Sequence, residues 1–253
     1  MTRSGRYAKR VSSDDIVFRS DVTVELIRHS ASDADVLFAA RVSTQGEQTL
    51  DHASSGEGAS ERDRGLINYL MRDRHGSPFE HNSMTFYVQA PIFVFREFMR
   101  HRIASYNEES GRYRELRPVF YVPGPERRLV QVGKPGAYDF EPGTPEQHRI
   151  VTEEIQNSCR QAYASYQRML EAGVAREVAR AVLPVTLYSS MYVTMNARSL
   201  MNFLSLRTKR EGTHFPSFPQ REIEMVAEKM EVFWETLMPM TAETFTANGR
   251  VAP

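Results

Sequence analysis

The sequence contains a single cysteine, Cys159, among its 253 residues. One thiol can form neither an intrachain disulfide nor a cysteine-based zinc site. The longest nearly apolar stretch, residues 87–95, includes Gln89 and Pro91 and is much shorter than the ~18 residues of a membrane-spanning helix. The basic N-terminus is not followed by the apolar segment of a secretory signal. These absences predict a cytoplasmic protein that does not bind membranes.

An excess of charge is also absent, because 32 Lys and Arg residues balance 32 Asp and Glu residues. Proteins that coat nucleic acids depend on a large positive charge, so we expect no nucleic-acid partner. Charged residues make up 25% of the sequence, as in ordinary globular proteins. The length of 253 residues suits one large domain or two small ones.

Hydrophobic periodicity predicts helices mixed with a few separated strands. The predicted strands lie near residues 22–27, 84–89 and 187–194. The predicted helices span residues 32–41, 60–71, 91–102, 144–172, 176–183, 196–208 and 220–238. Capping boxes are predicted at Ser32 with Asp35 and at Ser60 with Asp63.

Two segments lack periodicity, residues 42–59 and residues 103–147, and are predicted loops. The second is long, contains nine Pro or Gly residues from 118 to 143, and has room for short strands around Phe120. We therefore predict an α/β or α+β fold with a flexible tail over residues 1–20 and a single catalytic domain over residues 21–253.

The segment with the most chemically active side chains is residues 100–113, at the predicted end of an apolar helix. Arg100, His101 and Arg102 come first. The same loop then contains a hydrogen-bond acceptor, a hydroxyl group and another guanidinium group, on Glu108, Ser110 and Arg112. Guanidinium groups bind phosphate or carboxylate through two parallel hydrogen bonds. The alternative for the first three residues is that they neutralise the C-terminal end of the helix dipole.

Residues 75–81 contain two histidines and a glutamate. His75, Glu80 and His81 could bind a metal, but Gly76 and Pro78 argue against the helix that zinc-binding patterns use. A turn that presents backbone donors and one carboxylate to a polar ring system fits as well. An ordinary turn is the third interpretation.

Two further segments contain unusual polar residues. Arg180 lies among Val and Ala residues, so we expect it to be partly desolvated and to need an anion, either a ligand or an internal carboxylate. Asn202 lies in a predicted helix whose core face includes Leu206, and asparagine is unfavourable there unless it is exposed or bound. Clustered arginines in a chain without net charge favour a small phosphorylated ligand over a polymer.

Together these segments resemble the flavin-dependent thymidylate synthases. The signature of that family is Arg-His-Arg, seven residues and then Ser, which here is Arg100-His101-Arg102 followed by Ser110. The resemblance spans residues 22–240. Its other blocks are residues 39–43, 75–81, 90–93, 176–184 and 196–207.

The resemblance implies that dUMP is methylated to dTMP with methylenetetrahydrofolate as carbon donor. NADPH would reduce bound FAD, and the reduced flavin would supply the hydride. The resemblance also implies a twisted central sheet flanked by helices, and a homotetramer in which subunits share each active site.

Residue roles follow from the resemblance by position. The residues implied to bind FAD are Ser43, Ser77, Glu80, Arg100, His101, Arg102, Ile103, Asn196, Arg198 and Asn202. The residues implied to bind the nucleotide are Glu97, Glu108, Ser110, Gly111, Arg112, Arg180 and Arg207. His75 and Tyr113 occupy positions beside the flavin and the folate, and Arg180, Ser110 and His75 are expected to take part in catalysis.

The sequence departs from the family at Glu97, where some members have Gln, and at residues 208–219, which look longer than usual.

Uracil methylation usually needs a thiolate that adds to carbon 6. Cys159 lies outside every arginine segment and is expected to be a packing residue, and Ser110 would need a base. Hydride addition to carbon 6 removes the need for an enzyme nucleophile.

Two other functions are compatible with the residues alone. A metal-dependent phosphohydrolase would use His75, Glu80, His81 and His101. A binding protein for RNA or nucleotides would use the arginine cluster, and its binding would depend steeply on salt.

Overall fold

The structure is a computed structural model that describes residues 16–49, 60–135 and 137–253. Contacts divide these residues into two compact units. The smaller unit comprises residues 16–20, 110–132 and 140–188, and the larger unit comprises the rest. The single-domain assignment for residues 21–253 stays a prediction.

Helices and strands alternate irregularly along the chain, as the sequence predicts. The strands are β1 (Val17–Arg19), β2 (Thr23–Ser30), β3 (Ser83–Pro91), β4 (Ser105–Glu108), β5 (Val119–Tyr121), β6 (Val130–Lys134), β7 (Ala137–Glu141) and β8 (Tyr188–Met195). The α-helices are α1 (Asp33–Gln45), α2 (Glu61–Arg72), α3 (Ile92–Phe98), α4 (Pro145–Glu171), α5 (Arg176–Ala179), α6 (Ala197–Arg207), α7 (Arg221–Leu237) and α8 (Pro239–Ala247).

The larger unit is built on a four-stranded sheet in the order β2-β3-β8-β4. Strands β2 and β3 are antiparallel, as are β4 and β8. Every second residue of β3, including Met84, Phe86 and Val88, is fully buried, because one face of the sheet packs on the core. The predicted α/β fold with a sheet and flanking helices is therefore confirmed.

Helices α7 and α8 close this core. Trp234 and Phe245 pack edge to face with ring centroids 5.7 Å apart. The buried carboxylate of Asp33 accepts hydrogen bonds from the backbone nitrogens of Met240 and Thr241, each at 2.9 Å. Pro239 does end the predicted helix, but it also begins α8, which the sequence analysis missed. Proline is well suited to a first helical position because its missing N–H would have no partner there.

The smaller unit contains the long helix α4 and the parallel pair β1 and β5. The hydroxyl group of Tyr166 accepts a hydrogen bond from the backbone nitrogen of Leu116, and that of Tyr163 donates one to the backbone oxygen of Leu116, both at 3.2 Å. Because β1 lies within residues 1–20, the predicted tail is too long at its C-terminal end. Residues 1–15 of that tail and residues 50–59 of the predicted loop lie outside the described residues.

Several predicted boundaries are wrong. Ser32 does not form a capping box: its side chain accepts no backbone hydrogen bond, and its hydroxyl donates to the carboxylate of Asp35. Helix α1 continues to Gln45, beyond the predicted end. The predicted loop over residues 103–147 contains four strands, of which only the one at Phe120 was expected.

Candidate functional site

The larger unit contains a fixed arginine at the start of α6. The Nε atom of Arg198 donates to the backbone oxygen of Pro253 at 2.6 Å, and its Nη1 atom donates to Glu80 Oε1 at 2.5 Å. The side chain of Arg198 is nevertheless 44% exposed. Its guanidinium group is therefore held on one edge and accessible to a ligand. This contact brings together two of the residues predicted to bind FAD.

The backbone at Gly76 lies directly against this guanidinium group. A Cβ atom at Gly76 would lie 2.5 Å from Arg198 Cζ, so any larger residue here would force the guanidinium group to move. Asn82, which the sequence analysis missed, accepts a hydrogen bond from the backbone nitrogen of Ala197 at 2.8 Å. Asn196 caps α6, since its side-chain oxygen accepts from the backbone of Ser199 at 2.9 Å.

A second cluster in the larger unit joins Glu97, His101 and Arg207. Arg207 Nη1 donates to Glu97 Oε2 at 2.6 Å, and Arg207 Nε donates to His101 Nε2 at 3.0 Å. The arginine side chain is only 17% exposed. Since Nε2 accepts this hydrogen bond, the neutral imidazole carries its proton on Nδ1.

Burial and the nearby charge of Arg207 lower the pKa of His101 from 6.5 to about 4. The ring packs edge to face on Phe203, with centroids 4.9 Å apart. Tyr106 donates to the backbone oxygens of Phe98 and His101 at 2.9 and 2.7 Å. Burial raises the pKa of Tyr106 to about 12, so the phenol stays a donor at neutral pH.

Helix α3 ends at Phe98 rather than at the predicted residue 102. The carbonyl oxygens of the last turn of a helix need donors, and here a tyrosine supplies one. Arg100 and Arg102 therefore follow the helix, and both are exposed. Ile103 is 75% exposed.

The smaller unit contains Ser110, Gly111, Arg112 and Arg180. The backbone of Ser110 accepts from Tyr113 at 3.1 Å, and its hydroxyl accepts from the backbone of Arg112 at 3.3 Å. Arg112 Nε donates to Glu177 Oε2 at 2.9 Å, a partner that the sequence analysis missed. A Cβ atom at Gly111 would lie 2.8 Å from Leu116 Cδ1 and 3.2 Å from Arg180 Cδ.

Arg180 is exposed, so the predicted desolvation is wrong. The reason is local geometry: α5 and the 3-10 turn that follows it (Arg180–Val182) leave Val178 and Val182 57% and 42% exposed and bury Ala179. Leu206 is 53% exposed and does not face the core as predicted. Asn202 is also exposed, as one of its two interpretations required.

The remaining predicted residues lie at the surface or close to it. His75 is exposed and packs edge to face on Tyr69, with centroids 5.3 Å apart. Glu108 is partly buried on β4. Ser43, on the last turn of α1, and Ser77, in a short 3-10 helix over Ser77–Glu80, are exposed.

Two alternative chemistries find no support in the described residues. Across residues 16–49, 60–135 and 137–253, no three His, Cys, Asp or Glu side chains form a group that could hold a metal ion. Cys159 is buried and lies 3.4 Å from Thr186 Oγ1. Burial raises the pKa of the thiol, which disfavours the thiolate that a nucleophile requires.

The protein is a mixed α/β protein with exposed arginines, a side chain whose chemistry suits anionic ligands. A family model described as thymidylate synthase complementing protein matches residues 25–240. The flavin-dependent thymidylate synthase of Streptomyces coelicolor is 68% identical over 96% of this chain and 99% of its own length. That of Streptomyces avermitilis is 69% identical over 93% and 95%.

A solved structure of the UMP/dUMP methylase PolB from Streptomyces cacaoi bound with 5-Br dUMP is 57% identical, with a TM-score of 0.87. The match covers 94% of this chain and all of the other. The chain therefore belongs to the flavin-dependent thymidylate synthase family. None of the helices in the described ranges combines the length and apolar character that crossing a bilayer requires.

Proposed function

We propose that the chain methylates dUMP to dTMP, with methylenetetrahydrofolate as carbon donor and NADPH as reductant of a bound FAD. The observation that carries the proposal is its identity of 68–69% to flavin-dependent thymidylate synthases over nearly the whole chain. Reduced FAD supplies a hydride when it is bound. The residues of this chain bind and orient the ligands.

The donors of the larger unit suit an anionic dinucleotide. Arg198 offers a guanidinium group whose direction is set by Glu80 and by the backbone oxygen of Pro253. Arg100 and Arg102 add two exposed guanidinium groups, and arginine is the side chain best suited to phosphate. The other residues proposed for FAD binding are Ser43, Ser77, His101, Ile103, Asn196 and Asn202.

In the smaller unit, Ser110, Gly111, Arg112 and Arg180 are proposed to bind the nucleotide. The exposed guanidinium group of Arg180 can donate two parallel hydrogen bonds to a phosphate or a pyrimidine carbonyl. A Cβ atom at Gly111 would lie 3.2 Å from Arg180 Cδ, so glycine at this position leaves room for that side chain. Ser110 serves as a hydrogen-bond donor.

In the larger unit, we propose three further residues that bind the nucleotide: Arg207, Glu97 and Glu108. Glu97 has one carboxylate oxygen bound to Arg207, so its effect on the nucleotide is exerted through that arginine. His101 accepts from Arg207 on the other side. His75 packs against Tyr69, and its ring is exposed. We propose that this imidazole ring lies beside the flavin and the folate.

No cysteine nucleophile takes part in this proposal, because Cys159 is buried and its thiol pKa is raised. We further propose a homotetramer with shared active sites and a cytoplasmic location, on the strength of family membership. Both are testable by gel filtration and by cell fractionation.

The test is single-turnover formation of dTMP from dUMP by purified protein, with FAD, NADPH and methylenetetrahydrofolate supplied. The purified protein should show a flavin absorption band. No dTMP should form without NADPH, without methylenetetrahydrofolate, or after the bound flavin has been removed. Arg180→Ala should weaken dUMP binding by about 1.5–3 kcal/mol, the scale of a hydrogen bond to a charged group. Its FAD content should not change.

UMP is the matched control substrate because it differs from dUMP only by the 2′-hydroxyl group. Preferential methylation of UMP would overturn the assignment to dUMP and leave the methylase class intact. Protein without a flavin band that binds single-stranded RNA with steep salt dependence would overturn the enzyme proposal.

A further inference from the structure

The larger unit contains a buried ion pair that the proposed reaction does not use. Arg250 Nη2 donates to Glu231 Oε1 at 2.6 Å and to Thr208 Oγ1 at 3.0 Å. Both side chains of the ion pair are nearly inaccessible, at 5% and 6% exposure. Arg210 donates to the other oxygen of Glu231 at 2.9 Å. Buried charges are expensive unless they are paired and hydrogen-bonded, so this group fixes Arg250 in one place.

The backbone at this point turns sharply. Gly249 and Arg250 both have left-handed backbone angles, with φ of 71° and 57°. The backbone nitrogen of Arg250 donates to the oxygen of Phe245, and that of His214 donates to the oxygen of Gly249, each at 2.9 Å. A non-glycine residue keeps such an angle only where its surroundings determine it. The direction of the chain after Arg250 is therefore strongly specified.

That direction leads to the cofactor-binding arginine. The chain runs through Ala252, which packs against the hydrophobic core, to Pro253, whose backbone oxygen accepts from Arg198 Nε at 2.6 Å. Glu80 holds the neighbouring nitrogen of the same guanidinium group. The Arg198 side chain thus lies between a carboxylate and a backbone oxygen whose position depends on Arg250.

We propose that Arg250 and residues 251–253 form a positioning device that holds the Arg198 guanidinium group in its FAD-binding orientation. The inference rests on the proposed role of Arg198 in FAD binding. A long, exposed side chain loses rotamer freedom when a ligand binds it, and prior immobilisation removes part of that cost. The buried ion pair thereby contributes to cofactor affinity although it does not touch the cofactor.

The test is a double-mutant cycle between Arg198→Ala and a truncation after Arg250. The truncation removes the acceptor oxygen and leaves the buried ion pair in place. FAD dissociation constants are measured by flavin fluorescence, and thermal unfolding of the FAD-free protein is followed in parallel. Arg198→Ala should weaken FAD binding about tenfold to thirtyfold, and the truncation about fivefold to tenfold.

If the segment acts through Arg198, the double variant should bind FAD within about twofold of Arg198→Ala alone. Effects that multiply would overturn the proposal, and so would wild-type affinity in the truncated protein. If Arg198→Ala itself leaves FAD affinity unchanged, the proposed cofactor role of Arg198 fails and the inference fails with it.

Two further variants separate positioning from general stability. Arg210→Gln removes one partner of Glu231 but keeps the Arg250–Glu231 ion pair and residues 251–253, so it should lower the unfolding temperature and leave FAD affinity unchanged. Removal of Pro253 alone keeps Ala252 in the core. It decides the question if the longer truncation does not fold, because it should still weaken FAD binding several-fold.

Discussion

The hydrogen bond between Arg207 and His101 leads us to predict how the free energy of unfolding depends on pH. Burial, and then the charge of Arg207, lower the pKa of His101 from 6.5 to about 4. We therefore expect the imidazole to stay neutral in the folded protein at pH 5, where a histidine in the unfolded chain is already protonated. Neutrality keeps Nε2 an acceptor for Arg207.

The direction of the stability change follows from proton uptake. Between pH 6.5 and pH 4 the unfolded chain binds more protons at this residue than the folded chain does. The stabilisation from neutral His101 is therefore complete above pH 6.5 and is lost as the pH falls toward 4. The gap would correspond to about 3 kcal/mol for a fully buried ring. Because the ring is only partly buried, solvent screening reduces this to about 1–2 kcal/mol.

The assay is urea unfolding at pH 7 and pH 5 of the native chain and of His101→Gln. A glutamine side chain can accept the hydrogen bond from Arg207 but does not titrate. Between the two pH values, the native chain should lose about 1 kcal/mol more than the variant. Protein and FAD concentrations are held constant, because binding and assembly also change apparent stability.

Nuclear magnetic resonance gives the direct check. The carbon-bound proton next to both ring nitrogens of His101 should titrate with a midpoint below about 5. In the urea experiment, His29→Gln is the control for loss of an imidazole, because His29 is exposed. A midpoint at about 6.5, or equal pH dependence of the native chain and His101→Gln, would refute the reasoning.

Other predictions concern contacts within each unit. Gly76→Ala should weaken FAD binding about tenfold with little loss of stability, because its backbone φ of −77° suits alanine while the new Cβ atom would displace the Arg198 guanidinium group; unchanged affinity in a fluorescence titration would contradict this. Cys159→Ser should form dTMP in single turnovers within about twofold of the native rate, since a buried thiol packs rather than reacts. Total loss of turnover by a folded Cys159→Ser protein would contradict it. Asn196→Ala should lower the free energy of unfolding by about 1 kcal/mol in urea titrations, because α6 loses its cap.

Local patterns could be predicted where neighbours in sequence decide the structure. The capping box of Ser60 and Asp63 forms as expected, with the reciprocal backbone hydrogen bonds in place. At Ser32 the hydroxyl group donates to Asp35 but accepts no hydrogen bond from the backbone of the helix, so the box does not form. Spacing identifies which residues can meet, but it does not decide which atom of each one forms the hydrogen bond.

Residues distant in sequence determine much of the candidate site, and no periodicity reveals them. Arg198 depends on Glu80 and Pro253, which lie 118 and 55 positions away. Arg112 meets Glu177, 65 positions away. Tyr106 donates to the backbone oxygen of Phe98 at the end of α3, where the sequence pattern predicted four more helical residues. The family resemblance identified Arg198 and Arg112 as candidate site residues, because it matches the sequence position by position. Their partners Pro253 and Glu177 are evident only from the structure.

The partners also explain how a chain without net charge can present several arginines for anionic ligands. Arg112, Arg198 and Arg207 each have one carboxylate within hydrogen-bonding distance, at 2.9, 2.5 and 2.6 Å. Each carboxylate removes positive charge from the whole molecule and fixes the plane of one guanidinium group. A guanidinium group has five N–H donors, so one bound edge still leaves donors for a phosphate. Orientation set in advance lowers the entropic cost of binding, and local pairing thus favours a compact anion over a charged polymer.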